Sequence, residues 1–361
     1  MVTILIAIII LGVLIFVHEL GHFVTAKMSG MRVEEFSIGM GPEIAKKIKG
    51  DTLYSLRAFP FGGYVRVTGA AGEMEEDLAD ELEVLAPDDP RRYNNRPIWQ
   101  RFIFGLAGSG MNFVLAIVLL TGLSVFYGVY DTDAVLDNEI SIVSEDGAAY
   151  ESGIRVGDKI IAIGEREVSL WDEITLYAHE IDENSGIIVS VDRNGEILEF
   201  EVYPKYDEVE GRYLLGVSKM YPQRDVGILE GIEMAIEDTI SVCHTLLEAV
   251  GNLVTGKVAV NDEEEGLSGP VGIVKVINDF AQQGVAYLLQ LTALLSINLA
   301  LFNLLPIPGL DGSRLLFILI EGIRGKAVDP AKENIVNLIG FAFLMALMLY
   351  VTYHDVIRLF D

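Results

Sequence analysis

Four long apolar runs punctuate this 361-residue chain, at residues 2–26, 102–130, 280–310 and 334–353. Each reaches the roughly 20 residues needed to cover about 30 Å of hydrocarbon, which predicts four transmembrane helices. The second and third runs hold no Asp, Glu, Lys or Arg, and in the first only His18, Glu19 and His22 are ionisable before Lys27. Residues 2–17 share the apolarity of a signal peptide. They lack a basic leading segment, however, and run into His18-Glu19 rather than a small-residue cleavage site, so a retained span is expected.

The segments between the runs have other periods. Residues 52–59 alternate apolar and polar positions, as a strand does. Residues 140–217 read as a small β-rich domain, with VSVDRNGEILEFEV alternating on both sides of Asn194-Gly195. Residues 225–257 place Ile228, Ile232, Ile236, Ile240, Cys243, Leu247, Val250 and Val254 on one helical stripe. Glu230, Glu233, Glu237 and Glu248 lie opposite, which predicts an amphipathic helix on the protein or membrane surface. The acidic cluster at 73–89 reads as a solvated loop.

Charge orients these pieces. Residues 27–101 carry eleven Lys/Arg and residues 314–332 four more, whereas residues 131–279 hold 33 acidic side chains against 10 basic ones. The positive-inside rule then puts the first two segments in the cytoplasm and the acidic one outside, with both termini outside. The net charge of −27 argues against a nucleic-acid partner. The single cysteine, Cys243, excludes an internal disulfide framework and a CxxC metal knuckle.

The chemistry concentrates at His18-Glu19-Leu20-Gly21-His22. On a helix both imidazoles of an HExxH pentapeptide face one metal ion, and the glutamate stands close enough to take a proton from water. Three ionisable groups in an apolar span are costly without a function. The competing reading is a span that ends early and leaves both histidines in water. Zinc needs a third protein ligand, and the candidate is Asp311, just after Pro306 and Pro308, which should break the third span. The competing reading of Asp311 is a helix cap. His179, His244 and His354 lack a His or carboxylate partner at HExxH spacing, so packing or surface roles are expected for them.

Together, HExxH on the first span, the NxxPxPxLDG stretch from Asn303 to Gly312, and the domain between them resemble the site-2 protease family, in its bacterial RseP-like branch. The resemblance covers nearly the whole chain. It implies Zn2+ on His18, His22 and Asp311, with Glu19 as catalytic base. GIRVGDKIIAIG, at residues 153–164, is similar to the GLxxGDxIxxING signature of PDZ domains, which accept extended peptides at a sheet edge. A purely steric role for this domain is the alternative. One such signature is present, so roles needing a second PDZ are not carried over. FSIGMGP at 36–42 and FGGYV at 61–65 resemble a membrane-dipping β-hairpin whose edge holds the substrate, which assigns Gly62, Gly63 and Tyr64 to substrate binding. Asn303 matches a family asparagine that holds substrate backbone. AGSGMN at 107–112 resembles an AGPxxN pattern with Ser109 in place of proline, and residues 268–273 resemble the segment before the third span.

The expected fold class is therefore a polytopic α-helical membrane protein with a membrane-associated β-hairpin and an inserted extracytoplasmic PDZ-like α+β domain. The expected divisions are 1–27 (first span), 28–97 (hairpin and acidic loop), 98–130 (second span), 131–222 (PDZ-like), 223–279 (amphipathic helix and linker), 280–312 (third span), 313–333 (cytoplasmic loop) and 334–361 (fourth span). The expected function is intramembrane zinc endoproteolysis, with single-span membrane proteins (anti-sigma-factor-like, or remnant signal peptides) as substrates. The expected location is the inner, cytoplasmic membrane, with the active site toward the cytoplasm. The expected partners are a transmembrane substrate, the lipid bilayer and a peptide or substrate tail at the PDZ-like domain. The rival readings are a catalytically inactive PDZ scaffold and a zinc transporter.

Overall fold

The computed structural model describes residues 2–70, 82–131, 134–179, 186–207, 212–256 and 269–357. Most of the acidic cluster at 73–89, and Ser268, lie outside the described residues. So does the side chain of His179. The chain forms two compact units, 1–127 with 226–361, and 128–225.

In the first unit, α1 (Val2–Met28) is followed by an antiparallel hairpin of β1 (Val33–Lys49) and β2 (Thr52–Val67), then by α2 (Ile98–Tyr127). The hairpin pairs Lys49 with Thr52 at its tip and Val33 with Val67 at its base, and bulges between them let it bend. Phe36 stacks on Phe23 of α1 at 4.9 Å, which seats the hairpin base on that helix. Against α2, α1 approaches unusually closely: a Cβ on Gly21 would lie 2.2 Å from the Ala107 carbonyl oxygen, so only glycine fits.

In the second unit, α3 (Ala148–Ser152) and α4 (Trp171–His179) accompany a four-stranded antiparallel sheet. Its strands are β3 (Lys159–Ile163), β4 (Arg166–Glu167), β5 (Ile187–Arg193) and β6 (Glu196–Val202), in the order β4-β3-β5-β6. Asn194 and Gly195 both take positive φ (56° and 89°), the pair of angles a tight hairpin turn requires. Ile140, Ile154, Ile160, Val189, Val191 and Val202 form the core. Asp158, immediately before β3, is buried. Burial pushes its carboxyl up, but the Arg193 guanidinium at 2.7 Å and the Arg155 amide outweigh that and hold it below the usual carboxylate range.

The first unit resumes with α5 (Ile228–Val254), α6 (Pro270–Gln283), α7 (Val285–Leu304), α8 (Asp311–Arg324) and α9 (Pro330–Ile357). Among the described residues four helices, α1, α2, α7 and α9, are long and apolar enough to cross a membrane. Their limits differ from those of the apolar runs for local reasons. Gly284, at φ 121°, separates α6 from α7, so the apolar run at 280–310 is not one helix. At its far end, Leu305 is extended before Pro306 and stops α7 at Leu304. Upstream of the charge-free run, α2 starts at Ile98 and takes in Arg101, whose guanidinium is buried against Glu321 of α8 at 2.5 and 2.9 Å. Ser109 does not interrupt α2.

The amphipathic helix forms as the spacing predicts, but its packed face is rotated from the isoleucine stripe and shares Cys243 with it. Gly231, Ala235 and Thr239 turn inward, and Val242, Cys243 and Leu246 pack on Ala116, Ala293 and Ile297. Ile228, Ile232, Ile236 and Ile240 remain exposed beside that contact. The small residues win because they let the backbones approach: Gly231 sits against Thr121 and Val125 of α2.

Candidate metal centre

His18 and His22 stand one helical turn apart on α1, both buried, and their Nε2 atoms are 3.3 Å apart. Asp311 Oδ2 lies 3.0 Å from the first and 3.1 Å from the second. A tetrahedral zinc with bonds of about 2.0–2.1 Å keeps its ligand atoms about 3.3 Å apart, so this triangle fits the ion, with a fourth position left for water. Two imidazoles and one carboxylate are also a donor set suited to zinc.

Asp311 reaches this point because the chain folds back after α7. Pro306 and Pro308 carry no N–H, and Gly309 takes φ 96°. Gly312 then passes the end of α7 so closely that a Cβ would lie 2.1 Å from the Leu305 carbonyl oxygen. Asn337 of α9 braces the turn, accepting from Gly309 N at 3.3 Å and Ser313 Oγ at 2.9 Å. The capping position of α8 belongs to Leu310, and the Asp311 carboxylate points at the histidines rather than capping the helix.

The second helix completes the enclosure. His22 Nδ1 lies 2.8 Å from the Phe104 carbonyl, a geometry in which Nδ1–H donates and Nε2 keeps its lone pair. One turn later, Gly108 faces both imidazoles: a Cβ there would sit 2.4 Å from His22 Nε2 and 2.6 Å from His18 Nε2.

Beside the triangle is a cavity of about 200 Å³ lined by His18, Glu19, Gly62, Gly63, Asn303 and Asp311, among others. Of the residues the sequence assigned to the site, His18, Glu19, Gly62, Gly63, Asn303 and Asp311 line this cavity, His22 adjoins it through His18 and Asp311, and Tyr64 is not part of the lining. Glu19 is half-buried, and the Val65 amide of β2 hydrogen-bonds its carboxylate. Gly63 lies so near that its Cβ would come 3.2 Å from Glu19 Cγ. Tyr64 turns away and donates its hydroxyl to Glu35 at 2.6 Å. Glu35, almost fully buried, also accepts from Ser55 at 2.6 Å and Arg57 at 2.8 Å, which ties the strands together behind the Gly62-Gly63 edge. Burial alone would raise its pKa, yet these three donors hold the Glu35 carboxyl below the usual range.

Glu35, Arg57 and Phe104 carried no signal of their own, because each acts through partners distant in sequence, and Gly108 entered only as part of the AGSGMN stretch, without a role at the centre. Contrary to the sequence reading, His244 does have a carboxylate four residues on, Glu248 at 3.6 Å, but both side chains are exposed; His354 packs on Tyr350 and Tyr353.

The model for peptidase family M50 matches residues 6–347 of this chain. A relative from Clostridium acetobutylicum is 38% identical over 356 residues, covering 98% of this chain and 97% of that one. The regulator of sigma-W protease RasP of Bacillus subtilis is 33% identical over 426 residues, with 99% of each chain covered. The zinc metalloprotease RasP of Bacillus licheniformis is 33% identical over 430 residues, again with 99% of each covered.

Proposed function

Because the chain belongs to peptidase family M50, we infer that it is an intramembrane zinc metalloprotease of the site-2 type, with His18, His22 and Asp311 as ligands and Glu19 as base. One observation carries the assignment of residues. Three ligand atoms from two helices far apart in sequence converge to within hydrogen-bond distance beside a carboxylate in a cavity.

Zinc held there supplies Lewis-acid polarisation of a peptide carbonyl and lowers the pKa of water. The protein does the rest. The Glu19 carboxylate takes the proton of the attacking water and returns it to the leaving amine nitrogen. The Val65 amide and Gly63 hold that carboxylate against the hairpin. Gly62, Gly63 and Asn303 line the wall along which an extended substrate backbone lies.

The reading of α1, α2, α7 and α9 as membrane spans rests on their length and apolarity, and their orientation on the Lys/Arg-rich segments beside the site. It puts the metal toward the cytoplasm and the 128–225 unit outside. Within that unit a groove of about 230 Å³ runs along α4, lined by Trp171, Ile174, Thr175, Arg212 and Leu214–Ser218. This supports a PDZ-like role in taking up an extended peptide. The substrates of this reading are single-span membrane proteins already trimmed outside the bilayer, or remnant signal peptides.

The test is co-expression of Glu19→Gln or wild type with a single-span reporter. Loss of a positioned base predicts that cleavage falls about 10²–10⁴-fold. Equal cleavage by both refutes the assignment. Zinc uptake into proteoliposomes by the purified chain would instead support a transporter.

A further inference from the structure

The two imidazoles of the centre need the same preparation to bind a metal through Nε2. An imidazole that binds zinc through Nε2 carries its proton on Nδ1, and a buried N–H needs an acceptor. For His22 that acceptor is the Phe104 carbonyl at 2.8 Å. For His18 the group facing Nδ1 is the side-chain amide of Asn112, on the same helix α2, with the atom assigned as Nδ2 at 3.4 Å.

Drawn this way the pair is wrong for a ligand. An N–H donor facing Nδ1 forces the proton onto Nε2, the atom turned toward His22 and Asp311. The amide oxygen, meanwhile, is buried with no hydrogen-bond partner among the described residues. The two ends of a carboxamide have nearly the same shape, so hydrogen bonding decides which end faces where. Rotating the amide puts Oδ1 opposite Nδ1–H and leaves the Nε2 lone pair free.

We propose that Asn112 is a positioning residue for the metal: its Oδ1 accepts from His18 Nδ1–H and fixes the tautomer and ring orientation that present Nε2 to zinc. Two features give the side chain the rigidity this requires. Asn112 has no exposed surface, and its own carbonyl accepts from Ser296 Oγ of α7 at 2.8 Å, so α2 is pinned to α7 at that residue. The spacing agrees as well. Phe104, Gly108 and Asn112 are successive positions four apart, so one stripe of α2 holds one acceptor per imidazole with a gap between them for both rings.

This inference rests on the metal reading of the centre, and the experiment keeps the two apart. The full chain, purified in detergent, is titrated with Zn2+ in competition with a chromogenic chelator, for wild type, Asn112→Leu and Asn112→Asp. Loss of an outer partner of a ligating histidine weakens metal binding about 10–100-fold, which is the expectation for Asn112→Leu. Asn112→Asp keeps an acceptor of nearly the same shape and cannot donate, so it is expected to bind zinc at or above wild-type affinity. Wild-type affinity in Asn112→Leu overturns the proposal. So does an Asn112→Asp variant as weak as Asn112→Leu, because the amide would then serve as a donor or as packing. A wild-type chain that binds no zinc overturns the metal reading and this proposal together.

Discussion

Replacing Gly108 with alanine adds one methyl group at the narrowest point of the centre. That carbon would lie 2.4 Å from His22 Nε2 and 2.6 Å from His18 Nε2. Ordinary contact begins near 3.5 Å, so it overlaps each ligand atom by about 1 Å. Neither ring has an easy escape. His22 is held at Nδ1 by Phe104, on the same helix as the new methyl. The helices cannot slide apart locally without breaking the contact at Gly21, whose Cα already sits against the Ala107 carbonyl. Overpacking of this kind costs about 1–3 kcal/mol, and the gain from alanine in a helix returns only about 1 kcal/mol of it. The effect on chemistry should be larger than the effect on folding, because a displacement of about 1 Å in a reacting constellation costs about 100-fold in rate. Gly110, two residues further along α2, provides the control: nothing lies within 4 Å of its Cβ position. The assay is cleavage of a purified single-span substrate in detergent, with zinc content measured on the same samples. Gly108→Ala should lose about 100-fold in kcat/KM together with zinc affinity, while Gly110→Ala keeps both. Cleavage by Gly108→Ala within threefold of wild type would refute the picture of a cradle with no room for a methyl group.

Glu35→Ala leaves Arg57 and two hydroxyl donors without their buried acceptor and should destabilise the hairpin by about 3 kcal/mol, read as faster hydrogen exchange across β1 and β2. Because the folded Glu35 carboxyl titrates below its unfolded value, its contribution is present above about pH 4.5 and is lost as pH falls through the lower folded value. Protection factors in the hairpin, which divide out the intrinsic pH dependence of exchange, should therefore fall on acidification in wild type, and less so in Glu35→Gln. Arg101 and Glu321 bridge α2 to the helix that begins with Asp311, so Arg101→Met and Glu321→Gln should each weaken zinc binding. Their double mutant should lose no more than the worse single mutant, and a cycle showing strict additivity would contradict coupling through that pair.

The parts legible in the sequence were those written in local patterns. Charge-free runs mark helices, the Asn194-Gly195 pair marks a turn, and HExxH puts two imidazoles on one face whatever else the chain does. Helix limits were less legible because they depend on partners. Arg101, ahead of the charge-free run, is buried within α2 against Glu321, 220 residues later. Gly284 divides what composition alone joins, since a missing charge says nothing about φ. HExxH and LDG together pointed to the three residues that converge in the structure, but what holds them there was not legible. Gly21, Gly108 and Gly312 matter through the atoms that a side chain would strike, and a glycine in a sequence does not name its neighbour. Which part of α5 packs on its neighbours was hidden for a related reason. Isoleucines at helical spacing mark an apolar face, yet close packing on α2 selected the smaller residues next to it.

The most direct measurement takes one purified preparation each of wild type and Glu19→Gln and determines zinc per chain and cleavage of the same single-span substrate. If His18, His22 and Asp311 hold the metal while Glu19 only moves protons, both proteins carry one zinc per chain and Glu19→Gln cleaves at least about 100-fold more slowly. Equal cleavage with equal zinc, or loss of zinc in Glu19→Gln, would contradict that division of labour.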